Sequence, residues 1–184
     1  MAALSKDAIE EQDLRDPLHF AMASCDADVL TLAAKREKLA FQPIVTAGPQ
    51  GRVTFYEGLI RVMDQSGRVI PAAQFMPVIE ETDLGRQVDC VTLDLALSLL
   101  RKKPNLRLSI NLSARSIGDG QWRRILEKGL AESGALGDRL IFEISETSVM
   151  MMHEIVIRFM AEMQLRGVGF ALDGFGAGLT AFRH

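Results

Sequence analysis

The sequence predicts an α/β protein of the (β/α)-barrel class, and three observations carry that prediction. Short apolar runs alternate with longer stretches of helical periodicity, which implies a parallel sheet with helical cover. The first two runs flank a turn signal, Gly48-Pro-Gln-Gly51, so they read as a hairpin placed ahead of the alternation. Three later runs end on oxygen-bearing side chains, Asn111, Glu143 and Asp173, about 30 residues apart, the length of one strand-helix-strand unit. Active groups of such barrels sit at the C-terminal ends of the strands, where these three residues fall.

The elements follow in order. Residues 1–38 are charged and helix-prone, with Pro17 interrupting any continuous helix. They read as a lead-in or linker ending in a helix near 28–38, with Asp28 as its N-cap. Strands are expected at 39–45 and 52–61, then a loop at 67–71 and a short helix opening at Pro71. Residues 84–100 follow helical spacing through Val88, Leu93, Leu97 and Leu100. That helix ends in Arg101-Lys-Lys-Pro104, cations that suit a helix C-terminus and a proline that stops it. Strand 106–112, helix 119–133, strand 139–144, helix 150–166 and strand 168–172 complete the series.

A full barrel takes about 250 residues, whereas this chain has 184 and holds about five such strands. The expected architecture is therefore the front part of a barrel, incomplete in this chain.

Composition narrows the function. Apolar residues make up 48% and charged residues 24%, an ordinary globular mix. No apolar run reaches the ~18 residues of a membrane span, and Met1-Ala-Ala-Leu-Ser-Lys-Asp has no apolar signal region. Cys25 and Cys90 stand apart, as free thiols of a reducing, cytoplasmic compartment do. A net charge of −3 argues against DNA, RNA or an anionic membrane as partner. An anionic ligand would need a metal or a particular arginine.

The strand around Glu57 adds a fourth oxygen ligand. Glu57, Leu59 and Arg61 alternate, so they share one face. They suit a metal-bound phosphate, with Arg61 forking onto its oxygens; an inward-facing ion pair is the competing reading. The set Glu57, Asn111, Glu143 and Asp173 suits a hard cation, while each strand end taken singly reads as a cap or loop residue. Other features are expected to be bland: Met150-Met-Met152, His19, His153, His184, Arg101-Lys-Lys103, Arg123-Arg124, and Trp122 as a packing residue.

Five motifs occur in order: Phe41-Gln42-Pro43-Ile44-Val45, Glu57-Gly58-Leu59-Ile60-Arg61, Asn111-Leu112-Ser113, Phe142-Glu143-Ile144-Ser145-Glu146-Thr147 and Leu172-Asp173-Gly174-Phe175-Gly176. Together they resemble the EAL domain, the family of cyclic di-GMP phosphodiesterases, across residues 39–184. The resemblance implies a (β/α)8 TIM-like barrel with an antiparallel first strand. It also implies hydrolysis of cyclic di-GMP to pGpG with Mg²⁺ or Mn²⁺. By motif, Glu57, Asn111, Glu143 and Asp173 match the metal ligands. Gln42, Leu59 and Arg61 match positions that contact the dinucleotide, and Glu146 matches a glutamate that steadies an active-site loop involved in dimerisation. A homodimer and a protein partner both fit this pattern.

Three departures bear on catalysis. Gly58 replaces the middle alanine of the name-giving motif, a small-for-small change. Gly174 replaces the second aspartate of the family's Asp-Asp-Phe-Gly motif, which helps hold a second metal and the attacking water. The family's catalytic lysine, a later glutamate and a late glutamine fall beyond His184. The expected function is thus a cyclic di-GMP module impaired in catalysis and acting by binding. The alternatives are an active phosphodiesterase in a longer parent and, more remotely, an enolase-like Mg²⁺ barrel.

Overall fold

The computed structural model describes residues 37–48, 51–63 and 66–174. The expected helix near 28–38 and the glycine-rich stretch after Gly174 lie almost wholly outside them.

Strand β1 (Lys38–Val45) pairs antiparallel with β2 (Val53–Met63), Gln42 opposite Glu57, as the hairpin reading requires. The turn is fastened where Thr46 N–H donates to the Arg52 carbonyl at 2.9 Å and Arg52 N–H donates to Thr46 Oγ1 at 3.1 Å. The stretch expected as loop contains a three-residue strand, β3 (Val69–Pro71), antiparallel to the end of β2. Gly67, at φ +85°, adopts the left-handed conformation that turns the chain back. Three residues are too few for a strand pattern to register in sequence.

Helices α1 (Ala72–Ile79) and α2 (Asp83–Lys102) follow. Thr82 caps α2 by accepting from Leu84 N–H, with Arg101 and Lys102 in its last turn. Next come β4 (Leu108–Asn111), α3 (Gly120–Glu132), β5 (Leu140–Ser145), α4 (Glu146–Met151), α5 (His153–Gln164) and β6 (Gly169–Asp173). Asp119 caps α3, accepting from Gln121 and Trp122 N–H at 2.9 and 2.8 Å. Short 3-10 turns at Ser116–Gly118 and Gly134–Arg139 lead into α3 and β5.

The single helix expected over 150–166 is two. Ser145 Oγ accepts from Ser148 N–H at 3.1 Å and starts a helix directly at the strand end. Met152, at φ −125° and ψ 37°, then breaks it before α5.

The sheet runs β1-β2-β4-β5-β6, with β3 against β2. β2, β4, β5 and β6 run parallel to one another, and only β1 in that path is antiparallel. Among the described residues the sheet stays open, so the architecture is a partial barrel with an antiparallel first strand.

The main core lies between the helices and the outer face of the sheet. Leu108, Ile110, Leu140, Phe142 and Ile144 point outward from the strands and meet Leu93, Leu97, Leu100, Leu126 and Val156. Trp122, Phe142, Phe159 and Phe170 form a ring cluster with centroids 5.4–6.1 Å apart. Trp122 is a packing residue, as expected. Arginines of the two basic clusters lie at the surface and also pair across helices. Arg101 pairs with Glu132 at 2.8 Å, and Arg123 pairs with Glu162 at 2.8 Å while lying over the Phe159 ring.

Candidate functional site

Strand geometry sorts the side chains. Apolar residues of β4 and β5 take the outer face, which leaves Ser109, Asn111, Ile141 and Glu143 on the inner one. The registers carry that inner face across the sheet. Gln42 stands opposite Glu57, Glu57 beside Ser109, Asn111 beside Glu143, and Glu143 beside Ala171, two residues before Asp173. Gln42, Glu57, Asn111, Glu143 and Asp173 therefore share one face toward one end of the sheet.

Two of these side chains are in direct contact, and charge couples two of the carboxylates to a third. Asn111 Nδ2 donates to Glu57 Oε1 at 3.0 Å. Half-burial pushes the Glu143 carboxyl above the usual carboxylate range; the Ser109 hydroxyl opposes this, and the charges of Glu57 and Asp173 add to it. Asp173 Oδ1 accepts from the N–H of Gly174 at 2.7 Å.

The donor chemistry, three carboxylates and a carboxamide, fits a hard cation such as Mg²⁺ or Mn²⁺, which would relieve the crowded negative charge. As the side chains stand, no three carboxylate, imidazole or thiolate groups among the described residues are arranged to hold one ion.

Two cavities open on this region. One, of about 440 Å³, is lined by Glu57, Leu59, Glu80, Asp89, Asn111 and Asp173. The other, of about 540 Å³, is lined by Glu80, Asp89, Asn111, Ser113, Glu143 and Asp173, with Arg115 and Ser148 also on its wall. Leu59 lines the first of these cavities. Gln42 is exposed next to Glu57 across the hairpin. Arg61 is further along the same face, and its Nη1 donates to the Ile60 carbonyl at 2.9 Å. Glu146 is buried as the first residue of α4, directly after the strand that carries Glu143.

Two departures acquire a geometry. Gly58 is buried, and a Cβ there would lie 3.3 Å from the Ser109 carbonyl oxygen and from Ile110 Cγ2, a tight but narrow shortfall. Gly174 has φ +69°, and none of the described residues lies within 4 Å of where a Cβ would stand. A side chain at 174 has room, but its backbone conformation is one that glycine, asparagine and aspartate tolerate best.

Two residues of the site escaped the sequence reading. Ser109 is fully buried on the inner face beside Glu143. The alternation Leu108-Ser-Ile-Asn111 marks it. Asp89 of α2 is 7% exposed and lines both cavities. Its Oδ2 accepts from Ser116 Oγ at 2.6 Å and from Ser113 N–H at 3.3 Å. Burial raises its pKa from 3.8 to about 6, with those two hydrogen bonds opposing and the Glu80 charge adding. The signal was its spacing: Asp89 sits four residues before Leu93 and eight before Leu97, a carboxylate on the apolar stripe of the helix.

The sequence matches the EAL domain family over residues 27–184, beginning within the segment read as lead-in. The cyclic di-GMP phosphodiesterase PdeA of Borreliella burgdorferi is 30% identical over 132 residues, covering 70% of this chain and 20% of its own length. The chain thus spans about a fifth of that relative. By structure, the PaMucR phosphodiesterase in complex with c-di-GMP aligns with a TM-score of 0.67 at 24% identity, over 92% of this chain and 65% of the other. The FimX EAL domain of Pseudomonas aeruginosa bound to c-di-GMP gives 0.68 at 23% identity, over 86% and 64%. At these identities the structural likeness establishes the fold.

Proposed function

The chain belongs to the EAL domain family, and from that premise we propose that it is a cyclic di-GMP signalling module that binds the dinucleotide and is impaired in hydrolysing it. The observation that carries the impairment is Gly174. It stands directly after Asp173, where the family pattern has a second aspartate, and leaves open space in place of a carboxylate.

In this reading Glu57, Asn111, Glu143 and Asp173 hold Mg²⁺ or Mn²⁺. Gln42, Leu59 and Arg61 receive the dinucleotide, and Glu146 steadies the segment after β5. A bound divalent ion supplies acidification of water and neutralisation of phosphate charge. The chain's own residues orient the ligand. Gln42 and Glu57 face each other at the hairpin edge, and Leu59 offers an apolar contact in the cavity wall. Arg61 brings a fixed positive charge to the same strand face. The isolated cysteines support a cytoplasmic location, and no described helix is long and apolar enough to cross a membrane. Signalling by binding passes the ligand's presence to a second copy or to a protein partner.

A second reading, active hydrolysis in a longer polypeptide, is favoured by the four oxygen-bearing residues meeting on one face. Calorimetry with cyclic di-GMP and Mg²⁺ or Mn²⁺, alongside chromatography for pGpG, separates the two. The test uses a polypeptide carrying this sequence and any barrel strands that follow it. Binding without turnover is expected, and Gly174→Asp is expected to strengthen metal binding and raise any residual turnover. Turnover of the unaltered protein on the order of 1 s⁻¹ or more would refute the impairment.

A further inference from the structure

We propose that Asp89 is a positioning residue: from α2 it clamps the loop after β4 and thereby fixes the Asn111 carboxamide at the strand end. The proposal rests on the reading of Asn111 as a site residue. Its geometry stands independently.

Asn111 is the last residue of β4, and the chain leaves the sheet immediately after it. What holds that exit is a short set of bonds. Leu112 N–H donates to the Glu143 carbonyl at 2.9 Å, continuing the ladder by one residue. Beyond it the loop closes on itself, Ser116 N–H donating to the Ser113 carbonyl at 3.0 Å and Arg115 N–H to Ser113 Oγ at 3.3 Å, and a carboxylate oxygen ties it to α2. Asp89 Oδ2 takes the backbone N–H of Ser113 and the hydroxyl of Ser116 together. Ser113 N–H also sits two residues from Asn111, so any drift of the loop is passed to the Asn111 backbone. Leu112, Ala114, Ser116 and Ile117 are all buried, so water is poorly placed to replace the lost acceptor.

Asp89 stands on the stripe of α2 that Leu93 and Leu97 continue, where apolar residues are otherwise buried. A carboxylate there is costly unless its hydrogen bonds are needed. Those bonds run from the helix to the segment carrying Asn111, and both Asp89 and Asn111 line the two cavities. Asp89 lies in the wall and acts on the site through the loop.

The test compares Asp89→Ala, Asp89→Asn and Ser116→Ala with the unaltered full chain. The first readout is the side-chain amide signal of Asn111 in nitrogen-proton correlation spectra, assigned with Asn111→Asp. Asp89→Ala and Ser116→Ala are expected to broaden it and speed its exchange with water. Asp89→Asn, which keeps an acceptor oxygen, is expected to restore it. The second readout is Mn²⁺ affinity, expected to fall about 10- to 100-fold in Asp89→Ala and to recover in Asp89→Asn. If Asp89→Ala does not fold, Ser116→Ala carries the comparison. An unchanged Asn111 signal in folded Ser116→Ala or Asp89→Ala protein overturns the proposal. If the unaltered chain binds neither Mn²⁺ nor cyclic di-GMP, the functional reading fails while the Asn111 signal still decides this one.

Discussion

Asp89 also ties stability to pH, and the sign follows from its shift. The folded pKa, about 6, lies above the ordinary 3.8, so between those values the native state binds the proton more tightly than the unfolded chain. Its contribution to stability is full below about pH 3.8 and is lost as pH rises through 6. A shift of about two units corresponds to about 3 kcal/mol at most. Asp89→Asn removes this dependence. Urea unfolding at pH 5, 6 and 7 is expected to show the variant gaining on the unaltered protein by about 1.3 kcal/mol across the series. A constant difference at all three values contradicts it. Other side chains of the site were legible to different depths. Asn111, Glu143 and Asp173 are marked by strand-end position and Glu57 by its alternation with Leu59 and Arg61, both of which sequence displays. The left-handed φ of Gly174 and the tight approach of Ile110 to Gly58 depend on neighbours that sequence does not place.

At the scale of elements, the long helices and parallel strands were legible because period and length agree with burial. The misread helix shows the limit. Val149, Met152, Val156, Phe159 and Met163 keep helical spacing and pack on one core, so the apolar pattern runs on through the break at Met152. The stop comes from backbone conformation, to which periodicity is blind. Arg139 is another feature that packing alone reveals. Its Nη1 donates to the carbonyls of Leu100, Lys103 and Leu106 at 2.8, 3.0 and 3.3 Å, and its Nε donates to Ala135. One guanidinium thus binds the end of α2 and the chain entering β4 to the start of β5. Arg139→Ala is expected to cost about 1.5–3 kcal/mol, the range for hydrogen bonds to a charged group. Arg139→Lys is expected to recover only part, since an ammonium lacks the planar fork. Equilibrium denaturation of both variants measures this, and an unaffected Arg139→Ala protein shows the contacts to be idle.

For the molecule as a whole, strand order and direction were legible from the hairpin followed by alternation. How the sheet's outer strands are covered was not, since that depends on contacts remote in sequence. Among the described residues β6 bonds to β5 alone and β1 to β2 alone. Phe170 and Leu172 of β6 divide. Phe170 stacks on Phe142 and Phe159, whereas Leu172 is 44% exposed. At the other edge Phe41 and Tyr56 are exposed beside an apolar cavity of about 480 Å³ that Leu99, Pro104 and Leu106 also line. Unpaired strand backbone next to apolar side chains favours association with another copy. A polypeptide of residues 1–184 is therefore expected to dimerise or aggregate as its concentration rises. Leu172→Lys is expected to shift it toward monomer by placing a charge on the β6 edge. Static light scattering across a concentration series reads both. A cooperative monomer that scatters identically with and without the lysine means that the edges are covered within the chain itself.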